Sequence, residues 1–148
     1  EARYRLRVPG VTVVPALGVR LRVAVAPGIV RDRDTRPGRL PARASLSLTA
    51  CRRRALYVRT VRPGDRMQPY GLSGSKKLQD ILVDAKVPRA QRATLPVIEC
   101  GGRIAWLPGY RIDGAWAVAD AAAPALQITV ERRSAPGDKA TPGAPYSA

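Results

Sequence analysis

The sequence predicts an α+β chain dominated by short β-strands, with one main helix at about residues 75–86. Three observations carry this. Apolar side chains alternate with arginine in several short runs, the period of a half-buried strand. Pro and Gly are frequent, 14 and 13 of 148 residues, so connections are many and elements short. Only one stretch, Leu78, Ile81, Leu82 and Ala85, repeats at helical spacing. The interior is aliphatic, with no Phe and only Trp106, Trp116 and five Tyr as aromatic bulk. Val, Leu, Ile and Ala fill such a core, and a Val-rich set favours strands.

In chain order, Tyr4, Leu6 and Val8 alternate with Arg3, Arg5 and Arg7, and Pro9-Gly10 turns the chain. Val11, Val13 and Val14 resume, and Val19, Leu21, Val23 and Val25 alternate with Arg20 and Arg22. Two or three antiparallel strands are expected here. Pro27 to Arg43 reads as a long Arg-rich loop, and Ala44 to Ala50 alternates again with Leu46 and Leu48 on one face. Leu56 to Val61 is a strand, followed by an Arg62-Pro63-Gly64-Asp65-Arg66 turn. Ser75 is the expected cap of the helix, and Pro88 ends or redirects it. A short helical turn follows at Ala90 to Ala93. Leu95 to Cys100 and Arg103 to Leu107 form a hairpin with Gly101-Gly102 at its tip, and Leu126 to Val130 is the last strand. The organisation expected is a lead-in of strands and Arg-rich loop over 1–53, packed into the same unit as 54–133, and a disordered tail over 134–148, whose Pro, Gly, Ala and Ser lack apolar periodicity.

The formal charge is +15, from 26 Lys+Arg against 11 Asp+Glu. Such an excess points to a polyanionic partner, because cations that neutralise phosphates release condensed counterions. Nucleotide bias in a GC-rich genome explains why Arg outnumbers Lys 22 to 4, but not why acids are scarce. His is absent and Cys51 and Cys100 stand far apart, which removes the usual zinc spacings and the Cys–His and Ser–His nucleophile arrangements. The same cysteines suit a reduced, cytoplasmic protein, with a single disulfide left open. No apolar run approaches the ~20 residues of a spanning helix. The chain starts at Glu1, with no signal-peptide pattern, and reads as a piece of a longer protein.

Four stretches are candidates for binding. Ser73-Gly74-Ser75-Lys76-Lys77, at the expected helix start, has the composition of an anion site, with Lys76 and Lys77 beside free backbone N–H groups. It lacks P-loop spacing, and the competing reading is a capped helix with solvated lysines, Lys76 pairing with Asp80. In the Pro-Gly turn, Asp65 is the structural residue while Arg62 and Arg66 can grip a phosphate. Lys86, Arg89 and Arg92 flank Pro88, either as contacts or as a solvated basic face. Trp106 and Trp116 are either core residues or stacking platforms for bases. Asp80, Asp84, Asp113 and Asp120 form no paired acid–base arrangement, so no catalytic residue is assigned.

Residues 58–112 carry an ordered pattern: Arg59, then Pro63-Gly64-Asp65-Arg66, then Lys76-Lys77-Leu78 with Leu82, Asp84 and Lys86-Val87-Pro88. Arg92, Pro96, Trp106, Gly109 and Arg111-Ile112 complete it. This resembles the C-terminal domain of bacterial tRNA(Ile)-lysidine synthetases, and the opening Leu6 to Val23 is similar, less specifically, to the strands that precede it. The resemblance implies a β-sandwich of short mixed strands like a domain of the phenylalanyl-tRNA synthetase β-subunit. It implies a parent ligase that spends ATP to join lysine to the wobble cytidine of an isoleucine tRNA. That chemistry belongs to an N-terminal domain with a Ser-Gly-Gly-x-Asp-Ser loop, which this sequence lacks, so no cofactor is expected on this chain. The partners implied are the tRNA, gripped at its body and acceptor stem, and that catalytic domain; no membrane is involved. The expected contacts are Arg62, Arg66, Lys76, Lys77, Lys86, Arg89, Arg92 and Arg111. The alternative is an assembly module that holds the catalytic domain or a partner subunit with little tRNA contact of its own.

Overall fold

The computed structural model describes residues 2–32 and 38–133. Its strands are β1 (Tyr4–Arg5), β2 (Gly10–Val14), β3 (Val19–Pro27), β4 (Ala42–Ser47), β5 (Leu56–Thr60), β6 (Arg66–Met67), β7 (Lys76–Lys77), β8 (Pro96–Cys100), β9 (Arg103–Leu107), β10 (Arg111–Ile112) and β11 (Pro124–Arg132). Three short α-helices join them among the described residues, α1 (Leu48–Cys51), α2 (Leu78–Asp84) and α3 (Arg89–Arg92). One sheet has the order β2-β3-β11-β4 and the other β1-β5-β8-β9-β10, while β6 and β7 make a separate two-stranded ribbon.

The first sheet is built around its longest strands. β11 lies antiparallel to β3 from Pro124↔Pro27 to Arg132↔Val19, and its other edge pairs with β4. Period-2 alternation decides what each strand buries. Val19, Leu21 and Val23 of β3, Ala44 and Leu46 of β4 and Leu126, Ile128 and Val130 of β11 all enter one core. They meet Leu56, Val58, Ile98, Cys100, Ala105 and Trp106 from the second sheet, which makes a sandwich. Outside the core, Arg20 pairs with its cross-strand neighbour Glu131 at 2.6 Å.

A second core lies on the far face of the five-stranded sheet. There Leu78, Ile81 and Leu82 of α2 cover Val97, Ile104 and Leu107, joined by Met67 and Val87. The β8–β9 pairing slips between Ile98 and Glu99. This bulge lets Ala105 and Trp106 both face the sandwich while Ile104 and Leu107 face the helix. The hairpin tip is Gly101-Gly102, at φ 61° and 78°, the left-handed pair that a two-residue turn requires.

Several expected elements differ in extent. The helix is shorter than 75–86 because Lys76 and Lys77 are extended and pair with Arg66 and Met67. Lys77 therefore holds the cap position, with no side-chain cap, and Ser75 Oγ instead accepts a hydrogen bond from Arg66 Nε at 2.9 Å. The helix closes with Lys86 at φ 60° and Val87 N–H bonding the Leu82 carbonyl at 2.9 Å, so it ends before Pro88, and Ala85 is exposed. Near the N-terminus only Tyr4–Arg5 pairs as a strand, and Val8 is exposed. The alternation from Ala44 breaks at Ser47, whose Oγ accepts from Ala50 N–H and starts α1, leaving Leu48 exposed. The final strand runs further than Leu126 to Val130 on both sides. Ser45 fixes the start of the Arg-rich segment, its Oγ accepting from Val30 N–H at 2.7 Å. Residues 33–37 of that segment and the tail 134–148 lie outside the described residues.

After α1 the chain turns through Arg52 and Arg53, at φ 48° and 62°, closed by Arg54 N–H to the Cys51 carbonyl at 2.8 Å. A side chain with a Cβ is strained in this left-handed region. Arg53→Gly is expected to raise unfolding free energy by up to about 1 kcal/mol, read by chemical denaturation.

Candidate nucleic-acid interface

The basic surface is organised by a buried ionic network under the Arg62–Arg66 turn. Arg59, on β5, is 5% exposed and Glu99, beside it on β8, is 6% exposed. Arg59 Nε donates to Glu99 Oε2 at 2.8 Å, and its two terminal nitrogens grip Asp65 at 2.9 and 3.1 Å. Asp65 Oδ2 also accepts from Arg62 N–H at 2.7 Å, and Arg3 pairs with the other Glu99 oxygen at 2.9 Å. Asp65 is thus the structural residue of the turn, as its position in the Pro-Gly sequence suggests. Burial alone would raise the Glu99 carboxyl, but the hydrogen bonds and charges of Arg59 and Arg3 outweigh it and hold the pKa below the usual value. Burial likewise disfavours the Arg59 charge, and the hydrogen bonds of Asp65 and Glu99 overcome it, so its pKa is raised. The Asp65 carbonyl then accepts from Leu78 N–H at 3.0 Å, which fixes the turn to the first residue of α2.

On this base four of the expected cations converge. Arg62, Lys77, Arg89 and Arg92 line one groove of about 210 Å³ whose apolar parts are Val61, Pro63, Leu82 and Ala93. Arg92 is held in place by its Nε–H bond to the Val87 carbonyl at 3.0 Å. Asp65 also borders the groove, but its carboxylate is engaged by Arg59.

The other candidates lie elsewhere. Arg66, held by Ser75, faces a wider cleft of about 580 Å³ shared with Arg103 and Asp113. Arg103 is 3.7 Å from the buried Asp113 carboxylate and lies over the Trp116 ring, so that cleft carries mixed charge. Lys76 and Arg111 line a third cleft of about 450 Å³. Lys76 does not pair with Asp80: its Nζ lies 2.6 Å from Asp84. Lys76 and Lys77 separate because they are successive residues of a strand, whose side chains leave opposite faces. The anion site expected at a helix N-terminus does not form, since the lysines precede a seven-residue helix as extended chain. Lys86 is exposed beyond α2 and lines none of these three clefts.

Neither tryptophan is available to a base. Trp106 is 0% exposed, with Nε1 donating to Asp32 at 2.7 Å, and Trp116 is 3% exposed. Sequence reasoning leaves Arg59 and Glu99 without site roles and passes over Tyr70. For Arg59 and Glu99 the available signal is one charge in each of two strands whose other residues are mostly apolar. Cys51 and Cys100 are buried free thiols, and burial, followed by its neighbour Cys100, pushes the Cys51 pKa up to about 12. Among the described residues no group of three or more side chains is placed to hold a metal ion. No helix there is long and apolar enough to cross a membrane.

Residues 56–130 match the family model described as the TilS substrate C-terminal domain. The tRNA(Ile)-lysidine synthase of Symbiobacterium thermophilum is 42% identical over 144 residues, covering 90% of this chain and 27% of that protein. The enzyme of the same name from Clostridium acetobutylicum is 38% identical over 69 residues, 47% of this chain and 15% of that protein. The chain therefore spans about a quarter or less of the length of these relatives. A solved structure described as the crystal structure of a TILS C-terminal domain superposes with a TM-score of 0.70 at 27% identity, covering 90% of this chain and 98% of that one. That match extends the likeness through both sheets of the sandwich, and with the family match over β5 to β11 it leads to one conclusion: the chain belongs to the C-terminal domain family of tRNA(Ile)-lysidine synthases.

Proposed function

We propose that this chain is the tRNA-docking part of an ATP-dependent tRNA(Ile)-lysidine synthase, working in the cytoplasm. It holds the isoleucine tRNA by its phosphates while a catalytic domain outside this sequence uses ATP and lysine to modify the wobble cytidine. The observation that carries this reading is the convergence of Arg62, Lys77, Arg89 and Arg92 on one groove, set on a turn that a buried ion network makes rigid. Fixed cations recognise the spacing of phosphates along a duplex and read no bases. Arg66, Lys76, Lys86 and Arg111 extend the positive field but stand outside that groove.

The two adjacent lysines provide the test. Lys77→Ala is expected to weaken binding about equally for cognate and non-cognate tRNAs and to lower the salt dependence by about 0.9 in log–log slope, one phosphate contact. Lys76→Ala, which removes a cation already paired with Asp84, is expected to change affinity little. Both variants should melt as the wild type does. Equal affinities for wild type and Lys77→Ala across a salt titration would refute the groove. The assembly reading predicts that result, together with weakened association of the catalytic part.

A further inference from the structure

Among the described residues, Tyr70 is the aromatic side chain that stays open to solvent, 48% exposed, and Leu72 beside it is 49% exposed. Loose chain does not explain this. Tyr70 N–H bonds the Ile112 carbonyl at 2.9 Å, Leu72 N–H bonds the Pro69 carbonyl at 3.1 Å, and Gly114 N–H bonds the Gln68 carbonyl at 2.8 Å. Pro69 itself bridges to Asp113. The ring is therefore presented on a backbone anchored to β10 and the segment after it.

Its surroundings are cationic. Arg31, Tyr70, Tyr110 and Arg111 line one small cleft, which shares Tyr110 and Arg111 with the larger cleft carrying Leu72 and Lys76. Among the described residues, the two acids that line these clefts are engaged: Asp32 is buried and accepts from Trp106, and Asp84 is paired with Lys76. The described residues thus present an aromatic ring with two arginines, Arg31 and Arg111, lining the same cleft. That combination suits a flat, uncharged ring on a phosphate backbone, which is an unpaired nucleotide. Within a continuous duplex, bases are already stacked and offer no such face.

We propose that Tyr70, flanked by Arg31 and Arg111, is a stacking subsite for an unpaired nucleotide of the bound RNA. This rests on the RNA-binding reading above and adds to it a second kind of contact, separate from the phosphate groove. Arg111 acts here by holding the adjoining phosphate.

The probes are a blunt RNA duplex and the same duplex with a short single-stranded extension carrying a fluorescent base analogue. The wild-type chain is expected to bind the extended duplex about tenfold more tightly than the blunt one, the size of one base–aromatic stack, and to quench the analogue. Tyr70→Ala should abolish the increment and the quenching while leaving blunt-duplex affinity unchanged, and Tyr70→Phe should retain both. An increment that persists in Tyr70→Ala would overturn the subsite alone. Failure of the wild-type chain to bind either probe would overturn the RNA reading, and the subsite with it.

Discussion

Arg59→Ala is expected to destabilise the fold by about 3–5 kcal/mol, because removing one partner of a buried ion pair leaves charge uncompensated. Asp65 in the turn would lose both guanidinium bonds and keep only the Arg62 N–H, and Glu99 on the adjacent strand would keep only Arg3. The turn would also lose its grip on the β5 strand, since Asp65 reaches it through that guanidinium. Chemical denaturation at neutral pH measures the effect, and a loss under about 1 kcal/mol, the range of an exposed pair, would contradict the network's role. The pH dependence has a definite sign. The Glu99 pKa is depressed below the ordinary 4.5, so its contribution is complete above that value and is lost as pH falls through the lower, folded-state value. Glu99→Gln should therefore be less stable at neutral pH, and its stability should fall less steeply than the wild type's below pH 4.5.

The largest effect on binding is expected from replacing all four groove cations, Arg62, Lys77, Arg89 and Arg92, with alanine. Each phosphate that a cation neutralises adds about 0.9 to the salt slope, so the quadruple variant should have a slope shallower by about three to four. Its tRNA affinity should fall at least about a hundredfold at moderate salt. The fold should survive, because the core packing of Leu78, Ile81 and Leu82 is untouched. Affinity within a few-fold of wild type, in a variant that melts normally, would exclude the groove as the principal contact.

Much of the fold is legible in the sequence because its strands alternate cleanly. Val19, Leu21 and Val23 face inward and Arg20 and Arg22 outward, as the period-2 pattern requires. The Gly-Gly hairpin is equally clear, since few other dipeptides turn so tightly. The helix start is misleading for a tertiary reason. Ser75 followed by an apolar stripe looks like a cap, but pairing of Lys76 and Lys77 with Arg66 and Met67 holds the lysines extended. That pairing joins two strands of only two residues each, too short to show an alternation in the sequence. It also divides the lysine pair between two clefts, which is why the sequence suggests a single clamp at Lys76 and Lys77 and the structure has two environments.

The site is legible as a set of residues and illegible as an arrangement. Arg62, Arg89 and Arg92 each stand out by charge and turn chemistry, yet only α3, the α2 closure at Lys86 and the Asp65–Leu78 bond bring them around one groove with Lys77. Glu99 falls in a strand buried throughout, Pro96–Cys100, where a charge reads as an anomaly until Arg59, diagonal to it on β5, is seen to pair with it. The tryptophans show the reverse problem. Two large aromatics in a basic chain suggest stacking, but with no Phe available the sandwich takes both for its core, and among the described residues the exposed ring belongs to a tyrosine in a loop.

Docking of tRNA through the cations of one groove has one decisive measurement. Labelled isoleucine tRNA is titrated with the wild-type chain at several salt concentrations, with excess unrelated RNA as competitor. Saturable binding is expected, its logarithmic affinity falling linearly with the logarithm of salt at a slope of about −3.6 or steeper for four or more phosphate contacts. Binding that is absent at low salt, or that does not change with salt, would contradict it.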